Sequence, residues 1–178
     1  MKLGEYTIKR RYPLIQILVD IASVAALAYI GLIIYSTAMD IEQLNAINYT
    51  ETSLEFIKWQ PLLIWAAAGI IAWAVSLFAL FKPRKAPAKL KIDQKSGKKY
   101  CNIIDCCICC VRLVILLMLG EGCYLHMCAI LQLESSFSLQ LIIDAVIIVL
   151  LILFTRTRLQ SLYESQHDDE PQRTITED

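Results

Sequence analysis

Two carboxyl side chains, those of Glu121 and Asp144, lie well inside long apolar stretches of the chain. A charge at the centre of a membrane helix costs ~2.5–3.5 kcal/mol on insertion scales, so such residues are the first candidates for function. Two close carboxylates in a medium of low dielectric do not both ionise readily, because their charges repel. The pair therefore predicts a proton pathway or a cation site, with His126 as an outer step. The alternative is a protonated carboxyl that hydrogen-bonds a neighbouring helix or a partner subunit.

A second charged group lies toward the other ends of the apolar stretches. Asp20 is about seven residues inside the first stretch and Arg112 about four to five inside the third, so both reach a similar depth at ~1.5 Å rise per residue. We expect these two side chains to form an ion pair that holds the helices in register. Asp105 lies about two helical turns before Arg112, on the same helix face, and competes as its partner.

Four of the seven cysteines form the run Cys106, Cys107, Cys109 and Cys110, interrupted only by Ile108. The run contains two interleaved C-x-x-C spacings, which are typical of metal sites and redox centres. Zinc requires tetrahedral ligands, and one helix cannot easily direct four thiolates at one ion. A metal at this cluster would therefore need a second helix, a second chain or an unwound helix start. Acylation of thiols beside a membrane and inert packing are the alternatives.

Long apolar stretches must position all of these residues. A helix needs ~20 residues to cross the ~30 Å hydrocarbon core of a bilayer, and four stretches approach that length: 13–37, 61–81, 108–133 and 137–154. The apolar fraction of 57% also exceeds that of an ordinary soluble domain. The sequence predicts an all-α membrane protein, a four-span transmembrane helix bundle of residues 1–160 with an acidic tail, 161–178.

The basic residues are confined to one side of these stretches. Of the 17 Lys and Arg, all except Lys58 and Arg112 precede the first stretch, lie between the second and third, or follow the fourth. Short loops rich in Lys and Arg stay in the cytoplasm. We therefore expect both termini and the loop 82–100 to be cytoplasmic, in a plasma or bacterial inner membrane.

The loop 82–100 carries the densest positive charge of the chain. Beside anionic lipid, each Lys or Arg gains ~1 kcal/mol, so we expect this loop to contact lipid headgroups. No aromatic residues are interleaved with its basic side chains, which disfavours a nucleic-acid partner. The expected headgroup contacts are Lys82, Arg84, Lys85, Lys89, Lys91, Lys95, Lys98 and Lys99.

Three hypotheses for function follow from these features. The sequence has no phosphate-binding loop, zinc-protease motif or nucleophile triad, which disfavours an enzyme, and no cofactor is expected apart from a metal at the cysteines. The leading hypothesis is an accessory or assembly subunit of a larger membrane complex, since the chain is small and its intramembrane charges lack obvious internal mates. The alternatives are a small oligomeric ion- or proton-coupled transporter or channel, using Glu121 and Asp144, and a cytoplasm-facing thiol or metal protein.

Overall fold

The computed structural model describes residues 2–3, 6–7, 14–48, 58–82, 94–133 and 139–168. Four helices contain most of them: α1 (Leu14–Asn48), α2 (Leu63–Phe81), α3 (Gln94–Ile130) and α4 (Leu139–Asp168). A 3-10 turn, Gln60–Leu62, leads into α2. Two short antiparallel strands, β1 (Lys2–Leu3) and β2 (Tyr6–Thr7), precede α1. Apart from this strand pair, the regular structure of the described residues is helical, as predicted.

Each of the four helices contributes a segment long and apolar enough to cross a membrane. These segments are Leu14–Gln43, Gln60–Phe81, Ser96–Ile130 and Gln140–Ser165, the second of which includes the 3-10 turn. Their number and order confirm the prediction of four helices that can span a bilayer. The chain thus has the architecture of a multi-pass helical membrane protein.

The helices extend beyond the apolar stretches that predict them. Helix α1 continues past residue 37 to Asn48, and α3 begins at Gln94, well before residue 108. The 37 residues of α3 correspond to ~56 Å of helix, against ~30 Å of hydrocarbon. Hydropathy marks only the part of a helix that lipid tolerates, whereas backbone hydrogen bonds continue the helix until a residue or turn stops it. Part of the predicted loop 82–100 is therefore helical.

Helix α3 is the centre of the fold, because α1, α2 and α4 all pack against it. Helices α1 and α2 also contact each other, through a buried core that includes Ile30 and Leu62 and reaches Cys123 of α3. Gly69 of α2 makes this approach possible, since a Cβ there would lie 2.9 Å from Cδ2 of Leu27 and 3.7 Å from Cδ2 of Leu116. Small residues permit close helix contacts in membranes, where hydrophobic attraction between helices is absent.

Helix α4 is peripheral and packs mainly on α3. Among its described side chains, only Asp144 and Leu162 are buried. Large apolar side chains such as Val146, Leu150 and Phe154 point outward, as expected for a helix that lipid surrounds. One of the two buried positions on this helix is thus occupied by a carboxylic acid.

Candidate functional site

Glu121 and Asp144 line the same cavity, which has a volume of about 420 Å³ and lies between α1, α3 and α4. We call it the carboxylate cavity. Its other polar lining residues are Gln140 of α4, Tyr29 of α1 and Tyr124 of α3, and its remaining walls are apolar apart from Gly120. The structure therefore brings together the two acids that sequence depth alone had placed at a similar level.

Asp144 is the most buried polar group of the cavity, with 2% of its surface exposed. Its Oδ1 atom accepts a hydrogen bond of 3.1 Å from Nε2 of Gln140, one helical turn earlier on the same face of α4. Its Oδ2 atom is buried and has no hydrogen-bond partner among the described residues. A buried acceptor without a partner costs ~1–3 kcal/mol, and more when it is charged. A proton or a cation bound at Oδ2 would remove that cost.

Glu121 approaches the cavity from α3 and is half-buried. The glycines on either side of it receive aromatic rings from neighbouring helices. A Cβ at Gly120 would lie 3.5 Å from the ring of Tyr29, and one at Gly122 would lie 2.6 Å from the ring of Trp65. Because α3 runs without interruption through these positions, Gly122 serves the close approach of Trp65 and not a bend, whereas a Cβ at Gly120 would make an ordinary contact with Tyr29.

His126 lies on a different face of α3 from the carboxylate cavity and does not line it. Its Nδ1 atom accepts a hydrogen bond of 3.0 Å from Nε1 of Trp65 on α2, and the two rings are nearly perpendicular, at 75°. Five residues along a helix correspond to ~500° of rotation, so His126 and Glu121 diverge by ~140°. The structure thus separates His126 from the two acids with which the sequence grouped it.

The second charged group joins α1 to α3. Nη2 of Arg112 contacts Oδ1 of Asp20 in an ion pair, and Nε of Arg112 donates a hydrogen bond of 3.3 Å to Oγ of Ser23. The Arg112 side chain is 1% exposed, whereas the Asp20 side chain is 42% exposed. Asp105 is also buried, and the thiol of Cys109 lies within interaction range of all three charged groups. This constellation fits a structural role, because each charge has a partner within reach.

The cysteine run lies within the uninterrupted helix α3, and its thiols divide between two faces. Cys106, Cys107 and Cys110 line a second cavity, of about 490 Å³, between α3 and α4. Cys109 is buried on the face toward Asp20 and Arg112. All seven cysteines are free thiols, and no three His, Cys, Asp or Glu side chains of the described residues converge as metal ligands would. The metal and acylation hypotheses stay predictions.

Much of the basic loop lies outside the described residues, namely Arg84, Lys85, Lys89 and Lys91. The side chain of Lys95 is likewise outside them, as are the last ten residues of the tail. Lys82 and Lys99 are exposed and Lys98 is half-buried. The headgroup contacts therefore stay a prediction.

Sequence reasoning missed three polar residues of the carboxylate cavity. Gln140 could have been found, because its spacing of four residues from Asp144 puts both on one helix face. Tyr124 could have been found in the same way, because its spacing of three residues from Glu121 puts both on one face of α3. Tyr29 comes from α1, and no local sequence pattern predicts the order of the helices around a bundle.

Comparison with protein-family models, with curated proteins and with solved structures gave no match. The functional assignment consequently depends on the residues of this chain and their arrangement.

Proposed function

We propose that this protein is a small ion- or proton-coupled transporter of the cell membrane, in which Glu121 and Asp144 bind the transported proton or cation. The observation that carries the proposal is that both acids line one cavity while Oδ2 of the buried Asp144 lacks a hydrogen-bond partner among the described residues. Ionisable groups within membrane spans typically mark ion pathways and proton relays.

The chemistry of two neighbouring acids suits coupling between a proton and a cation. The two acids line one cavity whose lining residues include no basic side chain, so a bound proton or cation offsets their charge. A proton and a cation compete there for the same oxygen atoms. Binding of one therefore excludes the other, which links the two movements. No nucleotide-binding loop is present in the sequence, which fits transport that is passive, ion-coupled or powered by another chain.

The proposed topology has both termini in the cytoplasm, because the basic residues concentrate in the segments on one side of the four spans. In that orientation the pair Asp20–Arg112 lies in the inner part of the membrane and the carboxylate cavity lies farther out. Helices α1 and α4 border the cavity yet have little direct contact with each other. Movement of α4 relative to α1 would change access to the cavity without disturbing the buried core around Ile30, Leu62 and Cys123, which contains no residue of α4.

Flux into proteoliposomes tests this function. The variants Glu121→Gln and Asp144→Asn keep the size of each side chain and remove its charge, and we expect each to abolish proton-coupled cation flux. Asp40→Asn is the matched control, because Asp40 is an exposed acid of α1 away from the cavity. Size-exclusion profiles and thermal unfolding verify that each variant is folded. Flux equal to that of the native protein in both cavity variants would refute the proposal.

An accessory subunit of a larger membrane complex is the second candidate, and the position of α4 favours it. This helix packs mainly on α3, and most of its described side chains are left uncovered by the chain itself. A basic residue from a partner helix could pair with Oδ2 of Asp144 and fill the same cavity. Native mass spectrometry of gently extracted protein distinguishes the candidates. A defined complex with a second polypeptide favours the accessory role, whereas a homo-oligomer or single chain favours the transporter.

A further inference from the structure

We infer that the carboxylate cavity binds a lipophilic organic ammonium ion, whose positive nitrogen lies against Oδ2 of Asp144. The inference rests on the proposed function, since it names the class of cation that the acids bind. Four features of the cavity support it: its volume, its aromatic and apolar walls, the sign of its charge and its position between α1 and α4, which have little direct contact.

The volume argues for an organic ligand over a bare metal ion. A cavity of about 420 Å³ falls in the ~300–1,000 Å³ range of small-molecule sites. A single water occupies ~30 Å³ in the liquid, so one dehydrated inorganic cation would leave most of the space without contacts. Metal ions also require several ligand atoms at ~2.0–2.6 Å. Among the residues with described positions, no group of three acidic, histidine or cysteine side chains meets that requirement.

The walls suit a ligand that is cationic at one end and apolar elsewhere. Leu116, Leu117 and Leu125 supply an apolar surface, and Tyr29 and Tyr124 supply aromatic rings. Aromatic faces attract ammonium groups through the ring quadrupole, most strongly where water is excluded. Such a lining contributes little to the binding of a small hydrated ion but covers the substituents of an organic amine.

The charge of the cavity selects cations. Its titratable lining groups are Tyr29 from α1, Glu121 and Tyr124 from α3, and Asp144 from α4, and none of the described Lys, Arg or His residues lines it. An ammonium ion in the cavity would pair with the carboxylate of Asp144, whereas an anionic ligand would meet two carboxyl groups and no cationic lining group.

The position of the cavity explains why the ligand should be lipophilic. Helices α1 and α4 border it with little mutual contact, at the level of spans that lipid surrounds. A cation with apolar substituents concentrates in the bilayer and reaches such a site between the helices. A strongly hydrated cation does not partition there.

Binding to the purified full-length protein in lipid nanodiscs tests the inference, with benzyltriethylammonium as the probe and empty nanodiscs as the blank. We expect saturable binding of the probe. Asp144→Asn and Glu121→Gln should each weaken binding by about tenfold or more. The control Asp40→Asn should bind like the native protein, since that acid is exposed outside the cavity.

A cavity-filling variant separates organic from inorganic cations. Ala26 is a buried lining residue of α1, so Ala26→Leu reduces the space while leaving both acids in place. We expect it to lose benzyltriethylammonium binding and to keep any proton flux that needs only the acids. Native-like binding of the probe by this variant, or by both acid variants, would overturn the inference.

The outcomes for ligand class and for transport are distinct. If proton or sodium flux depends on Glu121 and Asp144 but the probe neither binds nor competes, the organic cation is refuted and the transporter proposal stands. If binding of the probe requires Asp144 but no variant alters any flux, the transporter proposal fails and the ammonium site is supported.

Discussion

Two charged sites lie along α3, and they differ in whether a basic residue is among the described residues that form the site. Midway along α3, Arg112 meets Asp20 and Ser23 of α1 and is almost completely buried. Farther along, Glu121 faces a cavity that it shares with Asp144 of α4, and none of the residues lining that cavity is basic. Both sites place ionisable groups within spans. Among the described residues, a basic side chain is part of the first site and none lines the second.

Under the proposed function, this difference separates a site that stabilises the fold from a site that exchanges ions. A buried arginine whose carboxylate is removed retains an uncompensated charge, so the paired site should be sensitive to loss of either member. In the carboxylate cavity, Oδ2 of Asp144 has no hydrogen-bond partner among the described residues. Removing the charge of Asp144 should therefore change the free energy of unfolding only slightly. The two sites should therefore respond in opposite ways when stability and transport are measured on the same variants.

The largest effect on stability is expected from Asp20→Asn. The variant leaves the guanidinium of Arg112 buried without its carboxylate, which should lower the free energy of unfolding by about 3 kcal/mol, at the low end for a broken buried pair because Asp20 is 42% exposed. Chemical unfolding in mild detergent measures it. A loss below ~0.5 kcal/mol would mean that the pair contributes no more than an ordinary surface contact.

The second prediction concerns coupling within the paired site. The double variant Asp20→Asn with Arg112→Gln removes both charges, so it should be about 2 kcal/mol more stable than the sum of the two single changes predicts. A double-mutant cycle on the same unfolding assay gives this coupling energy. Additive effects would show that Asp20 and Arg112 contribute independently to stability. The proposed difference between this ion pair and the carboxylate cavity would then be wrong.

A smaller effect is expected at Trp65, whose indole donates to His126 outside both charged sites. Trp65→Phe removes that hydrogen bond while keeping an aromatic ring beside Gly122, and should cost about 1 kcal/mol of stability. Flux should be unchanged, because His126 does not line the carboxylate cavity. Loss of flux with unchanged stability would instead indicate that His126 takes part in the proposed proton pathway.

The smallest effect on stability is expected from Asp144→Asn. The amide keeps the acceptor for Gln140 and removes the charge, so the free energy of unfolding should change by less than ~0.5 kcal/mol. Transport should nevertheless be lost. Parallel unfolding and flux measurements test the combination, and a destabilisation comparable with that of Asp20→Asn would make Asp144 a structural residue.

Helix number and charge depth were readable from the sequence because they depend on local properties. Hydropathy identified four spans, and a constant rise per residue put Asp20 level with Arg112 and Glu121 level with Asp144. The direction in which a side chain points around the helix bundle could not be predicted in this way, because it depends on which helices become neighbours. His126 therefore faces Trp65 instead of the acids, and Tyr29 joins the cavity without any local signal.

Helix ends were also beyond the reach of hydropathy. The extension of α1 to Asn48 and the start of α3 at Gln94 involve polar residues, which a span search reads as loop. The division of the cysteines between two faces was partly foreseeable, because a single helix rotates ~100° per residue and cannot direct four thiols one way. Only the folded structure shows which face of α3 contacts α1 and which contacts α4.

The wide sequence separation of the ion pair has a consequence for biosynthesis. Asp20 precedes Arg112 by 92 residues, so at ~5–20 residues per second α1 is made several seconds before its arginine exists. During that interval the nascent helix must hold the carboxylate of Asp20 in or near the bilayer without the arginine that pairs with it in the folded chain. Even in the folded chain the Asp20 side chain is 42% exposed, so α1 presents this acid on a partly uncovered face before the third span arrives.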